Sequence, residues 1–349
     1  MFRRYSLTSL AQPRIPSRMT PQEANPLATI RAAKAPARDI EFVFVKSELG
    51  AGTYGPSLGI EAIQLAAASR ESAIFKRYPA TWIVNESEDI DYPPFAHNID
   101  AMHALYGRIA RQVKVALNRE GFPLILAGDH CSAGGTIAGL RMADPTRRLG
   151  VIWIDAHADI NTPYTTPSGN MHGMPLGISL DMTRDEWSVN DIDGDSEKEW
   201  DHLCGIGGIS PKILPEDLVF IGLRSVDRAE QGYIDQHNVK VHTVDEVRTQ
   251  GAERIVAAAL EYLAHCDMVY VSFDIDSLDA ALVPGTGTPV AGGLTEEEAA
   301  GLLTGFWQSP KLAALEFCEI NPLLDIQGRT PQLACRLLEA VLLDSTRPS

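Results

Sequence analysis

No two cysteines in this chain fall at Cys-x-x-Cys spacing, and the five present (Cys131, Cys204, Cys266, Cys318 and Cys335) are odd in number and scattered. That pattern argues against a disulfide framework and for isolated thiols in a reducing compartment. A cytoplasmic location is therefore expected, or the mitochondrial matrix if the source is eukaryotic. Positive charge is scarce: 30 lysines and arginines face 46 aspartates and glutamates, a formal net charge of −16. Nucleic-acid binders usually present a basic face, so nucleic acid is not an expected partner. No uninterrupted apolar run approaches the roughly 20 residues that cross a bilayer, which removes a membrane from the expected partners. The phosphate-cradling pattern GxxxxGK[ST] is missing too, and the glycine-rich Glu48–Gly59 (ELGAGTYGPSLG) reads as a loop near a site mouth.

What remains is ordinary for a globular protein: 349 residues, 45% hydrophobic and 22% charged. The first 20 residues hold four arginines and no acid. Residues 1–38 are read as a basic, flexible arm: a transit-peptide-like segment, a bacterial tail, or a start placed upstream of Met19. Residues 39–349 are read as one catalytic domain. In it, short apolar runs alternate with helical periods. Ile40–Lys46, Pro123–Gly128, Gly150–Ala156, Asp217–Leu223, Asp267–Asp274 and Leu312–Ile320 are β-branched or aromatic and bounded by Gly, Pro or Asp. Ile99, Met102, Tyr106, Ile109, Val113 and Leu117 recur at spacings of three and four, and Thr295 precedes three acids as a helix N-cap. Strands alternating with helices predict a three-layer α-β-α domain around a central, mostly parallel sheet. The polar stretch from Ser179 to Pro215 is expected to be an excursion of loops and a short helix.

In such sheets ligands bind beyond the carboxyl ends of the strands, and polar clusters stand there in the sequence. PLILAG runs into Asp129 and His130, GVIWI into Asp155, His157 and Asp159, and MVYVSF into Asp274 and Asp276. If the extended conformation persists past each strand, the alternating residues share one face. Four carboxylates and two imidazoles then converge. Without cations the carboxylates would repel strongly in a water-poor cleft. Two divalent ions balance them, and an oxygen-plus-imidazole set favours Mn²⁺, with Ni²⁺, Co²⁺ and Zn²⁺ also compatible. Such a pair activates a shared water, so no side-chain nucleophile is needed. Histidines 97, 103, 202, 237, 242 and 265 lack this context and read as structural or surface residues.

AGDHCSAGG, WIDAHADINTPYTTPSGNMHG, SFDIDSLDAALVPGTGTPVAGGLT and ALEFCEINP together resemble, in order and spacing, the signatures of the ureohydrolases, the family of arginase and agmatinase. The motifs lie nearest those of bacterial-type arginases. The resemblance implies one metal held by His130, Asp155, Asp159 and Asp274, and another by His157, Asp155, Asp274 and Asp276. A bridging hydroxide would attack the guanidinium carbon, Asp159 would steer the proton, His172 would serve as shuttle or general acid, and Glu319 would pair with the guanidinium. Asn161, Thr166, Ser168 and Asn170 match the arginase branch and would bind an α-carboxylate, Asp227 with Glu230 the α-amino group, and Thr288 the guanidinium end. A small cationic guanidino substrate follows, with L-arginine cleaved to L-ornithine and urea; a trimer or hexamer of identical chains is implied. The alternatives are hydrolysis of agmatine, guanidinobutyrate or guanidine, or an inactive regulatory subunit of a homologous enzyme. Cys131, Ser225 and Glu316 depart from common family residues.

Overall fold

The computed structural model describes residues 38–85 and 93–344. The expected N-terminal arm lies outside the described residues except for Arg38, whose guanidinium stacks over Phe122 and Trp307 and donates to the Trp307 and Ser309 carbonyls.

Among the described residues, eight strands form one sheet: β1 (Asp39–Lys46), β2 (Ala80–Val84), β3 (Gly121–Ala127), β4 (Leu149–Ile154), β5 (Leu218–Ile221), β6 (Lys240–His242), β7 (Met268–Asp274) and β8 (Leu312–Cys318). All neighbours pair in parallel, in the order β2-β1-β3-β8-β7-β4-β5-β6. Alternate residues of each strand feed two separate cores. Phe42, Phe44, Leu124, Leu126 and Phe273 pack against helices Gly59–Ser69, Glu296–Trp307 and Arg329–Asp344 on one face. Val43, Val45, Ile125, Val151 and Trp153 pack against helices Ile99–Asn118 and Ser132–Ala143 on the other. A sheet covered on both sides must be apolar at every position, which is why its central strands read as unbroken hydrophobic runs. The fold is the three-layer α-β-α arrangement expected.

Six strands match the apolar runs. The two that do not, β2 and β6, are the sheet's edges. The excursion holds the helix Gly194–Cys204, whose first turn is capped by the Asp193 carboxylate. Thr295 caps Glu296–Trp307 as expected, its hydroxyl accepting from Glu298 N at 3.1 Å.

What matters for function is the middle of the order. The chain leaves β3 and skips two positions to enter β4; β8 and β7 later fill the gap. The carboxyl ends of β3, β8, β7 and β4 therefore stand side by side, at the kind of topological break where α/β sheets bind ligands.

Candidate active site

Three of these four strands end in the same way. Asp129, Asp155 and Asp274 each turn one carboxylate oxygen back onto the backbone N–H two residues on, of Cys131 (3.0 Å), His157 (2.7 Å) and Asp276 (2.7 Å). An aspartate that bonds its own downstream amide competes with strand pairing and makes a turn. Here the structure corrects the expectation of persistent extension: β4 stops at Ile154, and Ile275–Ser277 is a short 3₁₀ turn. The side chains converge because the chain folds over at each strand end. The second oxygens of Asp155 and Asp274 face inward, while that of Asp129 accepts from Gly50 N.

Two clusters result. In the deeper one, His130 Nδ1 lies 3.0 Å from Asp155 Oδ2, 3.1 Å from Asp159 Oδ2 and 3.1 Å from Asp274 Oδ2. Neither His130 Nδ1 nor Asp155 Oδ2 has a hydrogen bond of proper geometry, although both are buried. The atoms surround a common point instead of bonding each other, which is how a ligand set for a cation is arranged. In the outer cluster His157 Nδ1 lies 3.1 Å from Asp276 Oδ2 and 3.6 Å from Asp155 Oδ1. Asp155 thus joins both clusters; Asp274 reaches the deeper one, its other oxygen being held by Asp276 N.

The electrostatics show a shortage of positive charge. Burial alone would lower the pKa of His157, but Asp155 and Asp276 overcome it and push it up to about 12. Burial and the charge of Asp155 push Asp276 up to about 6. Asp274 is raised well above the usual carboxylate range by burial, Asp276 and Asp155. Asp155 moves the other way, lowered against burial by its two histidine neighbours. This donor set, oxygen and imidazole around buried like charges, fits divalent cations.

Beyond β8, Glu319 sits at φ 63° and Asp159, beyond β4, at φ 51°, both left-handed. Such conformations cost about 1–3 kcal/mol each and persist where the surroundings over-determine them. Glu319 N bonds Gly128 O at 2.8 Å and Asp159 O accepts from Leu176 N at 3.1 Å. Glu319 Oε1 accepts from His130 N (2.8 Å) and pairs with His172 Nδ1 (2.9 Å). Glu319 Oε2 is buried and has no partner. Burial would lower the His172 pKa, yet the Glu319 charge beside it raises it to about 9.

The expected recognition tract lies beside these groups. Asn161 donates from Nδ2 to Asp227 Oδ2 at 3.0 Å, so the two residues expected at opposite ends of an amino-acid head group meet. The Thr166 hydroxyl accepts from Ser168 N and Gly169 N, and the Ser168 hydroxyl from Asn170 N, shaping the loop. Both oxygens of Glu230 are occupied by backbone amides, of Ile160 and Asp227. Thr288 donates to Asp276 Oδ2 at 2.9 Å, steadying the outer cluster. The glycine-rich loop is at the mouth as expected: Gly50 N donates to Asp129 Oδ2 and His172 N to Gly50 O. Gly50, Gly52 and Gly55 do fall at GxGxxG spacing after a strand, but the amides of Gly50 and Gly55 are spent on the carboxylates of Asp129 and Glu48.

Residues 39–343 match the family described as Arginase family. The chain belongs to it. It is 38% identical to the arginase of Bacillus subtilis (strain 168) over 245 residues, 70% of this chain and 77% of that protein. It is 33% identical to the arginase of Brevibacillus brevis over 319 residues, 88% and 98% of the respective chains. A crystal structure of arginase from Bacillus subtilis subsp. subtilis str. 168 superposes with a TM-score of 0.75 at 34% identity, covering 87% of this chain and 98% of that one. Membership of the arginase family makes this a hydrolase of C–N bonds and implies a binuclear divalent metal centre, for which the two clusters are candidate ligand sets.

Set against that family, the departures settle into the packing. Cys131 is fully buried with its sulfur on Met102 and beside the Asp129 carboxylate; burial and that charge raise the thiol pKa well above its usual value. Ser225 N bonds Ala156 O at 3.0 Å. Several residues around the site were not visible as such in the sequence. His97, read as structural or surface, holds Asn170 Oδ1 at 3.0 Å from Nδ1 and Gly169 O through its backbone amide. Gly169 needs φ 80°, and a Cβ there would lie 2.6 Å from Pro94 O, so only glycine lets this clamp close. Arg224 spreads its guanidinium over the carbonyls of Asp276, Ser277, Leu278 and Val290, pinning the turn that carries Asp276. Ser272 stands behind His130.

Proposed function

We infer that this chain is an arginase: it hydrolyses L-arginine to L-ornithine and urea. The observation that carries the reading is Glu319 Oε2, a buried acceptor without a partner beside two metal-ligand clusters. An unmet buried acceptor costs on the order of 1–3 kcal/mol. A guanidinium, planar and rich in forked donors, meets that need with a charge-assisted bond.

His130, Asp155, Asp159 and Asp274 would hold one ion, and His157, Asp155, Asp274 and Asp276 the other; Mn²⁺ suits this donor set best, with Ni²⁺, Co²⁺ and Zn²⁺ compatible. When bound, the ion pair activates a water as nucleophile at neutral pH. The residues of the chain supply the rest. Glu319 orients the guanidinium carbon toward that water. Asp159 steers the released proton, and His172, held charged by Glu319, delivers a proton to the departing amine nitrogen. Asn161, Thr166, Ser168 and Asn170 bind the α-carboxylate and Asp227 the α-amino group. Glu230 orders this region by fixing the amides of Ile160 and Asp227, and Thr288 keeps Asp276 in place. Agmatine lacks the carboxylate and would leave the Ser168 and Asn170 donors without the anion they are read as binding, which disfavours it. The protein would assemble as a trimer or hexamer, which sedimentation of the purified protein would read directly, and act in a reducing compartment, in keeping with its five free buried thiols.

The test is urea release by Mn²⁺-loaded protein from arginine, agmatine, 4-guanidinobutyrate and guanidine side by side. Arginine should have the highest kcat/KM. Arginine ranking lowest would overturn the carboxylate-binding tract.

A further inference from the structure

Glu316 lies in β8 and is fully buried. Three hydroxyls converge on it: Ser132 Oγ on Oε1, Thr136 Oγ1 on Oε2 at 2.7 Å, and Tyr270 OH on Oε2 at 2.8 Å. It touches neither ligand cluster. Tyr270 is also 3.2 Å from Ser272 Oγ, and Ser272 Oγ is 2.7 Å from His130 Nε2. Sheet geometry aligns the chain of contacts: β7 and β8 pair Ser272 with Glu316 and Asp274 with Cys318, so Glu316 shares a face with Ser272 and Asp274.

Counting protons gives this chain a direction. An ionised carboxylate only accepts, so the single Tyr270 proton goes to Glu316. The Tyr270 oxygen is then left to accept, and Ser272 can donate to it. Ser272 in turn accepts from His130 Nε2–H. That leaves the lone pair of His130 on Nδ1, the nitrogen facing Asp155, Asp159 and Asp274.

We propose that Glu316 is a positioning residue: through Tyr270 and Ser272 it fixes the His130 tautomer that presents Nδ1 as a metal donor. The proposal rests on the metal centre described above. It explains why an acid is retained in an otherwise apolar strand, on the far side of His130 from the ligand cluster. Partners behind a ligating histidine orient the ring and raise its basicity, and losing them costs about 10–100-fold in metal affinity.

The experiment is Mn²⁺ binding to full-length protein by equilibrium dialysis, with arginine kinetics and thermal unfolding measured alongside. Glu316→Gln replaces an acceptor with a group that can donate to Tyr270, and Tyr270→Phe cuts the chain. Each should weaken the tighter-bound Mn²⁺ by about 10–100-fold. The KM for arginine should stay unchanged and kcat recover at saturating Mn²⁺. Glu316→Asp, which keeps the charge, should restore most of the affinity. Thr136→Val strips one hydrogen bond from the same carboxylate while leaving the chain intact; it should lower thermal stability and leave Mn²⁺ affinity within about threefold of wild type. Should wild type bind two Mn²⁺ and both chain-breaking variants match it, the proposal is overturned. It is likewise overturned if Thr136→Val loses as much affinity as Tyr270→Phe. Wild type binding no Mn²⁺ would instead refute the metal-centre reading beneath it.

Discussion

His130 and His157 present the same imidazole nitrogen to the same aspartate, yet their surroundings differ. The His130 side chain is 1% exposed, stacked 4.0 Å from the Trp153 ring, bonded by Ser272 behind and faced by three carboxylates. The His157 side chain is 24% exposed and meets two carboxylates. A ligand locked by packing and by bonds on its far side loses little freedom on binding, whereas a half-open one must be ordered by the ion. The deeper position should therefore fill first and empty last, with the outer one exchanging.

The strongest way to break that asymmetry is to remove one carboxylate from each cluster in turn. Asp274→Asn should abolish both the tight metal and turnover. Asp276→Asn should leave one ion bound, counted by elemental analysis after gel filtration, with activity lost. One ion retained in Asp274→Asn would show that the deeper cluster does not anchor the pair. Next in size, His172→Asn should reduce kcat by about 10²–10⁴-fold, the range for a positioned general acid. His172 has its pKa raised to about 9, so the proton it delivers is present at neutral pH and lost as pH rises through that value. The kcat/KM profile, which reports the substrate-free protein, should fall on its alkaline side near pH 9 in wild type, and that limb should vanish in the variant. Stability follows the same sign. A histidine pKa raised on folding contributes stability that is complete below the unfolded value of about 6.5 and fades as pH climbs through the folded one. Urea denaturation at pH 6 and pH 10 should show wild type losing more stability than His172→Asn. An equal loss would mean that the pair with Glu319 contributes nothing.

A graded chelator series sharpens the comparison directly. Half of the metal should leave at a chelator concentration that spares the rest, and the ion remaining should be the one whose affinity depends on Tyr270. Simultaneous loss of both would equate the two positions. The smallest effect is expected far from either ion. His97→Ala frees the Asn170 amide, a loss of about 1 kcal/mol or roughly fivefold in KM for arginine. Metal content should be untouched and agmatine turnover unchanged. A KM shift of equal size for agmatine would mean that Asn170 does not read the carboxylate.

Much of this molecule was legible in its sequence because burial on both faces writes strands as plain apolar runs. The six interior strands show that signature. β2 did not, since three of its five residues are exposed, and β6 is three residues long at the opposite edge. The metal-ligand candidates were legible because charged residues ending apolar runs have few structural reasons to be there. How they converge was not: an aspartate at a strand end reads the same whether the strand continues or the side chain folds the backbone over. Tyr270 and Ser272 carried a signal that passed as core, polar groups at every second position of MVYVSFD, on the same face as Asp274. His97 had none, because its contact with Asn170 joins segments 73 positions apart.

The three aspartate turns also fix a length. Each spends one oxygen on the main chain two residues ahead, so the inward oxygen stands at a set height above its strand. β4 and β7 are neighbours, with Ile154 paired to Phe273, so Asp155 and Asp274 leave the sheet at the same level. Neighbouring strands lie about 4.8 Å apart. The sheet is thus a ruler for the site: the spacing of the Asp155 and Asp274 carboxylates is marked off by strand register and by the turns that hold one oxygen of each. A glutamate at Asp155 or Asp274 would keep the charge and lose the scale.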